Sequence, residues 1–458
     1  MRSEISPETA RLAEFVAAAR TAEVPPAVAE KAAMHVIDTL AATLSGSCLP
    51  PGVRGAEYVQ DIGGRPVATV LGAGGLRTDV VSAALANGMS AHADETDDSH
   101  AASISHPGCA VVPAALAVAE QQGSSGQEFL RAVIAGYDVG PRVVLAMGHP
   151  RLDTERSGHS THALVGLFGA AAAAAVLYGL DERGVRHTLS YAAQSGSGVT
   201  SWVRDGNHVE KAFVFGGMPA SNGVRAAAMV ASGCDGVDDV FAQQPNFLDA
   251  FSDDVRRDRL VDGLGDRYEV VQTNIKKFAV GSPAQAAVQA MLDLVGEHDF
   301  DPGTVEDIEI VLPHDLARVV DGRDMPDINC QYLVIGTMLD KAFSFAMAHD
   351  DERMRSPQVA GLMARTRLRP DPEKAGVRTA EVTVRTSDGG EFYRYVPAVR
   401  GTVDDPMSRE EVHAKALDLI APVIGEDSST ALLGKLWALQ DLGDVKEIVD
   451  LMGSQAGA

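Results

Sequence analysis

The stretch Ala380-Glu-Val-Thr-Val-Arg-Thr-Ser-Asp-Gly-Gly-Glu-Phe-Tyr-Arg-Tyr-Val396 decides the fold class of this 458-residue chain. Two alternating segments, 380–385 and 391–396, flank Ser387-Asp-Gly-Gly390, and that order reads as a β-hairpin. The same alternation marks Val305-Glu-Asp-Ile-Glu-Ile-Val-Leu312 and Tyr268-Glu-Val-Val-Gln272 as half-buried strands, with helical patterns over 282–296 and 329–348. Upstream of Tyr268 the texture is helix after helix. Pro25-Pro26 opens a run to Leu44 that Gly46 closes, and further helices are expected at 79–91, 109–121, 127–146, 160–179, 181–194 and 219–232. From about residue 408 the chain returns to helix, with Ser408 as N-cap ahead of Glu411. The expectation is therefore an α+β protein. Residues 1–265 and 401–458 form a large all-helical domain, and a smaller α+β domain, 266–400, is inserted before the C-terminal helices.

Composition narrows the function. Apolar residues make up 45% and charged residues 22%, as in a globular enzyme. The formal net charge of −24 argues against nucleic acid or an anionic membrane, because phosphates are bound by Lys and Arg that displace counterions. Cys48, Cys109, Cys234 and Cys330 form no CxxC pair and read as reduced thiols of a cytoplasmic protein. The N-terminal residues Met1 to Pro7 lack the apolar core of a signal peptide. Ala163 to Leu180 is uncharged, but its alanines and glycines suit a helix buried in protein better than a membrane span. No GxGxxG follows a strand and no P-loop is present, so a nucleotide cofactor has no visible cradle.

Chemistry concentrates in His92-Ala-Asp-Glu-Thr-Asp-Asp-Ser-His-Ala-Ala-Ser-Ile-Ser-His-Pro-Gly108, which holds three histidines and four carboxylates ahead of an apolar helix. Acids and imidazoles crowded together shift one another's pKa values and move protons near neutral pH. Further polar clusters are Arg156-Ser-Gly-His-Ser-Thr-His162 before the alanine-rich helix, Lys211 ahead of Phe-Val-Phe-Gly-Gly217, Lys276 and Lys277 in Asn274-Ile-Lys-Lys-Phe278, and Asp327-Ile-Asn-Cys-Gln-Tyr332. Read as metal ligands, His92, Asp94, Glu95, Asp98, His100 and His106 would suit a divalent cation. Bland readings stand beside these: His159 as a helix cap, Lys277 as a solvated neighbour, His162, His208 and Tyr137 as structural, Asp97 and Asp98 as braces of the loop.

Taken together, His92 to Gly108, Gly158-His-Ser-Thr161, Gly136-Tyr-Asp-Val-Gly-Pro-Arg142 and Asn274 to Phe278 resemble the MmgE/PrpD family, over nearly the whole chain. That family includes 2-methylcitrate dehydratase, cis-aconitate decarboxylase and iminodisuccinate epimerase. The resemblance implies a homodimer with a large helical domain and a smaller α+β lid domain, and a site with no metal and no organic cofactor. Carried over residue by residue, it implies His106, His159, Glu95 and Lys211 as catalytic residues, and Lys276, Ser99 and Tyr332 as substrate-binding residues. Glu95 stands where the family more often has Asp, and no histidine occurs in Phe213 to Gly217 where many members carry one. The implied activity is a lyase, dehydratase or decarboxylase, moving a proton beside a carboxylate of a small di- or tricarboxylic acid. An epimerase or isomerase of a dicarboxylate is the alternative, and a metal-dependent hydro-lyase is the third reading.

Overall fold

The computed structural model describes residues 5–148, 158–374 and 376–453. Arg156 and Ser157 of the cluster before the alanine-rich helix lie outside those residues. The chain forms two compact units. One comprises residues up to Ala93, Asp97–Asn274 and Val412 onward; the other comprises Ile275–Glu411 together with Asp94–Thr96.

The first unit is built from helices packed on a buried centre. Thr161–Leu177 has six consecutive alanines and buries every side chain except that of His162. Small residues let its neighbours approach closely. A Cβ on Gly136 would lie 2.8 Å from the Gly169 carbonyl oxygen, and one on Gly169 the same distance from that of Gly136, so Gly126–Ala146 touches this helix backbone to backbone. Gly126–Ala146 opens with a capping box in which Ser125 and Glu128 satisfy each other's backbone N–H groups. The helices that escape the sequence reading include Pro7–Ala18 and Pro50–Ile62, each with Pro in its first turn. Among the described residues no single helix is long and apolar enough to cross a membrane.

Tyr268–Gln272 is not a strand. Its backbone runs through successive turns, Val271 N–H to Tyr268 O and Gln272 N–H to Glu269 O. The alternation misleads because Glu269, a polar position, points inward: it is buried, with its backbone N–H on Asp138 Oδ1 and its carboxylate beside Arg142 and His100. Only Thr273–Asn274 pairs, antiparallel with Ser99–His100.

The second unit carries a four-stranded sheet in the order 366–371, 305–313, 380–386, 391–396. The 380–386 and 391–396 strands form the expected hairpin, closed by Thr386 N–H to Gly390 O with Gly389 at φ +87°. Val305–Pro313 is central, antiparallel to 380–386 and parallel to Thr366–Asp371, an edge strand too polar to announce itself in the sequence. Ile308, Ile310 and Leu312 join Met291, Leu294, Leu333 and Met338 of the helices Gln285–Glu297 and Cys330–Asp340 in one core. The expected 329–348 helix stops at Asp340, where Lys341 adopts the left-handed φ of +52°, and Ser344 caps a separate short turn, Phe345–Ala348.

Candidate active site

The 97–108 loop is fastened from below by Asp98. Its Oδ2 accepts from His35 Nδ1 (2.8 Å) and Tyr137 Oη (2.5 Å), and its Oδ1 accepts from the backbone N–H of Gly108 at the start of the Gly108–Gln122 helix. Burial pushes the Asp98 pKa up, but the hydrogen bonds from His35 and Tyr137 outweigh it and hold the group below its ordinary value. His100 is fixed in the same layer, with Nδ1 on Ser103 Oγ at 2.7 Å and Nε2 on Glu269 at 3.2 Å. Asp98 and His100 therefore hold the loop in shape.

Asp97 faces the other way and is fully buried between two imidazoles. His92 Nδ1 lies 2.9 Å from its Oδ2 and His106 Nδ1 lies 3.2 Å from its Oδ1, the second contact being close but poorly aligned. If His92 donates from Nδ1, its Nε2, a buried nitrogen with no hydrogen-bond partner among the described residues, carries the lone pair. Burial drives the His92 pKa down; Asp97 opposes this, while Lys211 and His106 reinforce it. His162 projects from the first turn of the alanine-rich helix, its ring 5.1 Å from that of His106. Burial, helped by His106, His92 and Lys211, takes His162 well below an ordinary histidine, so it is neutral at pH 7.

Phe215 holds this cluster together. Its ring stacks on His162 at 3.7 Å and on His92 at 4.4 Å, and meets Trp202 edge-on at 4.7 Å. It stands on a π-helical turn, Phe213–Gly217, between the helices Val209–Ala212 and Met218–Ala231; such turns recur at functional sites. The turn fits because Gly216 lies against Gly88: a Cβ on Gly216 would be 2.0 Å from the Gly88 carbonyl oxygen. Lys211, one helical turn before Phe215, sets its ammonium 5.3 Å from the Phe215 ring and 5.6 Å from Trp202. His208 precedes it with a left-handed φ of +64°, and its ring is 5.3 Å from His92.

Of the residues expected from sequence, His106 and Lys211 lie in this cluster. Ser99 is buried on the two-residue ladder with Asn274. His159 sits elsewhere: it bridges Val199 through its backbone and its ring packs 4.8 Å from Phe251, whereas His162, three residues on, reaches His106. Glu95 and Lys276 belong to the second unit and pair with each other, Lys276 Nζ donating to the Glu95 carbonyl at 2.8 Å and lying 3.6 Å from its carboxylate. Next to them Asp94 pairs with His349 Nε2 at 2.9 Å; burial opposes the His349 charge, but Asp94 raises its pKa to about 9. Tyr332 is fully buried and donates its hydroxyl to the Met347 carbonyl at 2.7 Å. Sequence reasoning reads Asp97 as a brace and His162 as structural, and does not single out Phe215 or Trp202, all four of which lie in this cluster. The available signal was spacing: Lys211 and Phe215 are four apart on a helix, and His162 opens the alanine-rich helix.

His92, Asp97 and His106 could also hold a metal, since one ligand atom from each lies within 4.8 Å of the others. The class so defined is an α+β protein whose helical unit gathers imidazoles, a shared carboxylate and an ammonium around one phenyl ring. The chain belongs to the MmgE/PrpD family: residues 10–259 match the MmgE/PrpD N-terminal domain and residues 278–439 the MmgE/PrpD C-terminal domain. It is 25% identical to a cis-aconitate decarboxylase-like protein, oryM, of Aspergillus oryzae, over 98% of this chain and 97% of that protein. It is 22% identical to cis-aconitate decarboxylase of Aspergillus terreus (97% and 95% covered) and 24% identical to that of Homo sapiens (93% and 90% covered).

Proposed function

We propose that this protein is a lyase acting on a small di- or tricarboxylic acid, by cleavage and proton transfer at the carbon next to a carboxylate. The observation that carries the reading is the single buried carboxylate of Asp97 shared by His92 and His106, with the Lys211 ammonium in the same cluster. The relatives named for cis-aconitate decarboxylation support the substrate class.

A carbanion beside a carboxylate spreads its charge onto that carboxylate, so the site has to supply a cation there and a proton donor or acceptor at carbon. Lys211 supplies the cation. Asp97 holds His92 and His106 in fixed orientations and stabilises whichever becomes charged. His162, neutral and 5.1 Å from His106, stands in for the expected catalytic His159 as the proton acceptor. When a β-carboxylate leaves as CO2, the C–C electron pair enters the conjugated carboxylate and an imidazolium protonates the carbon. When a β-hydroxyl leaves, an imidazole first removes the α-proton and the hydroxyl departs with a proton as water. When neither group can leave, one imidazole removes the α-proton, a protonated imidazole delivers a proton to the opposite face, and the reaction is epimerisation.

The test is proton NMR of the chelator-treated protein in deuterated water with citrate, 2-methylcitrate, cis-aconitate, malate, tartrate and amino-dicarboxylates. Deuterium entering beside a carboxylate is expected, and the product distinguishes lyase from epimerase. A second reading rests on the His92, Asp97 and His106 ligand geometry. Exchange that vanishes on chelation and returns with a divalent metal would select it.

A further inference from the structure

The chain has two tryptophans, Trp202 and Trp437. Trp437, at the end of the helix Glu426–Trp437, donates its indole N–H to His413 Nδ1 at 3.0 Å. The Trp202 indole nitrogen is buried and, among the described residues, has no hydrogen-bond partner. An indole N–H is a donor with no second role, and when buried it nearly always finds an acceptor, because leaving it bare costs the full loss of its water. A bare one calls for a physical reason.

Its surroundings give one. Trp202 lies on the one-and-a-half-turn 3-10 helix Thr200–Arg204 and packs its ring against Phe215 and His162, both at close to a right angle. Lys211 Nζ is 5.6 Å from the indole centre. Among the described residues, other buried nitrogens without hydrogen-bond partners belong to the same group of rings, His92 Nε2 and His162 Nδ1 among them. Of these, the Trp202 N–H beside the Lys211 ammonium is what a carboxylate oxygen would satisfy, while a bare imidazole nitrogen that carries the lone pair faces the same space as a proton acceptor.

We propose that Trp202 is a substrate-binding residue, its indole N–H donating to a carboxylate oxygen of the substrate in the field of Lys211. This deepens the function proposed above and rests on it. It also assigns specificity: a neutral amide or ester at that position keeps an acceptor oxygen but loses its attraction to Lys211, so the site discriminates for a carboxylate there.

The experiment uses the full-length protein with Trp437→Phe, which leaves Trp202 as the sole indole fluorophore, and adds Trp202→Phe separately to the parent. Trp202→Phe keeps an aromatic ring against Phe215 and deletes the N–H. Expected are a change in Trp202 emission that saturates with the carboxylic acid the parent turns over, and a roughly 10- to 100-fold loss of kcat/KM in Trp202→Phe, as for a hydrogen bond to a charged group. Circular dichroism and melting of Trp202→Phe should match the parent. An unchanged kcat/KM in Trp202→Phe, on an acid that the parent converts, overturns the assignment and leaves the lyase reading standing. A parent that neither converts nor binds any carboxylic acid of the panel overturns both.

Discussion

Replacing Asp97 by Asn tests the centre of the proposed chemistry. The side chain is fully buried and touches His92 Nδ1 at 2.9 Å and His106 Nδ1 at 3.2 Å. Asparagine keeps the shape but offers one acceptor and one donor in place of two acceptors. One imidazole must then turn over, change tautomer or lose its partner, and the negative charge that would stabilise an imidazolium is gone. General acid–base catalysis is worth about 10²- to 10⁴-fold, so the turnover number of Asp97→Asn should fall by about that range, with KM changing far less. The His92 pKa, already held down by burial, loses the opposing pull of Asp97 and should drop further. Stability should change by only about 1–3 kcal/mol, because deleting a buried charge relieves its desolvation while breaking its hydrogen bonds. Steady-state kinetics on the converted acid, thermal melting and NMR titration of the histidine ring protons check the three parts. A folded Asp97→Asn protein with the parent turnover number would refute the assignment of Asp97 as the orienting carboxylate.

Three other perturbations follow from the geometry. Lys211→Ala should lower kcat/KM by about 10²-fold or more, with melting nearly unchanged, since Lys211 is half-buried at the edge of the ring cluster; parent-like kinetics would remove it from the carboxylate-binding role. Gly216→Ala forces a methyl group to within 2.0 Å of the Gly88 carbonyl oxygen, so the π-helical turn must shift; a loss of at least about 2 kcal/mol in denaturant unfolding is expected, and parent stability would contradict the close packing. His349 keeps its charge up to about pH 9 in the folded state against an ordinary 6.5. The ion pair with Asp94 therefore contributes fully below about pH 6.5 and is lost as pH rises through about 9, an effect on the order of 3 kcal/mol. Unfolding free energy measured from pH 6 to 10 should decline across that window in the parent and stay flatter in His349→Gln. Equal slopes in the two proteins would show that His349 carries no such charge.

The elements legible in the sequence are those whose local signals agree with their burial. The 380–396 hairpin has alternating strands and a Gly-Gly turn, and the buried face of Val305–Pro313 follows its alternation at Ile308, Ile310 and Leu312. Tyr268–Gln272 fails because a buried Glu269, drawn in by Arg142 and His100, breaks the link between polarity and exposure on which alternation depends. The site divides in the same way. His106 and Lys211 come from the family resemblance, and both lie in the ring cluster. Asp97 reads as a brace because a carboxylate in a loop of four carboxylates has no sequence feature that says which way it faces. That direction is set beside Asp98: its bonds to His35, Tyr137 and Gly108 anchor the neighbouring peptide, and the Asp97 carboxylate meets His92 and His106 instead. The structural carboxylate thus aims the one proposed to orient the imidazoles. Asp98→Asn should for that reason impair turnover through misorientation of Asp97, and histidine resonances of both His92 and His106 should shift with it. If only the His35 resonances moved while turnover held, the two carboxylates would be independent and the bracing argument would fail.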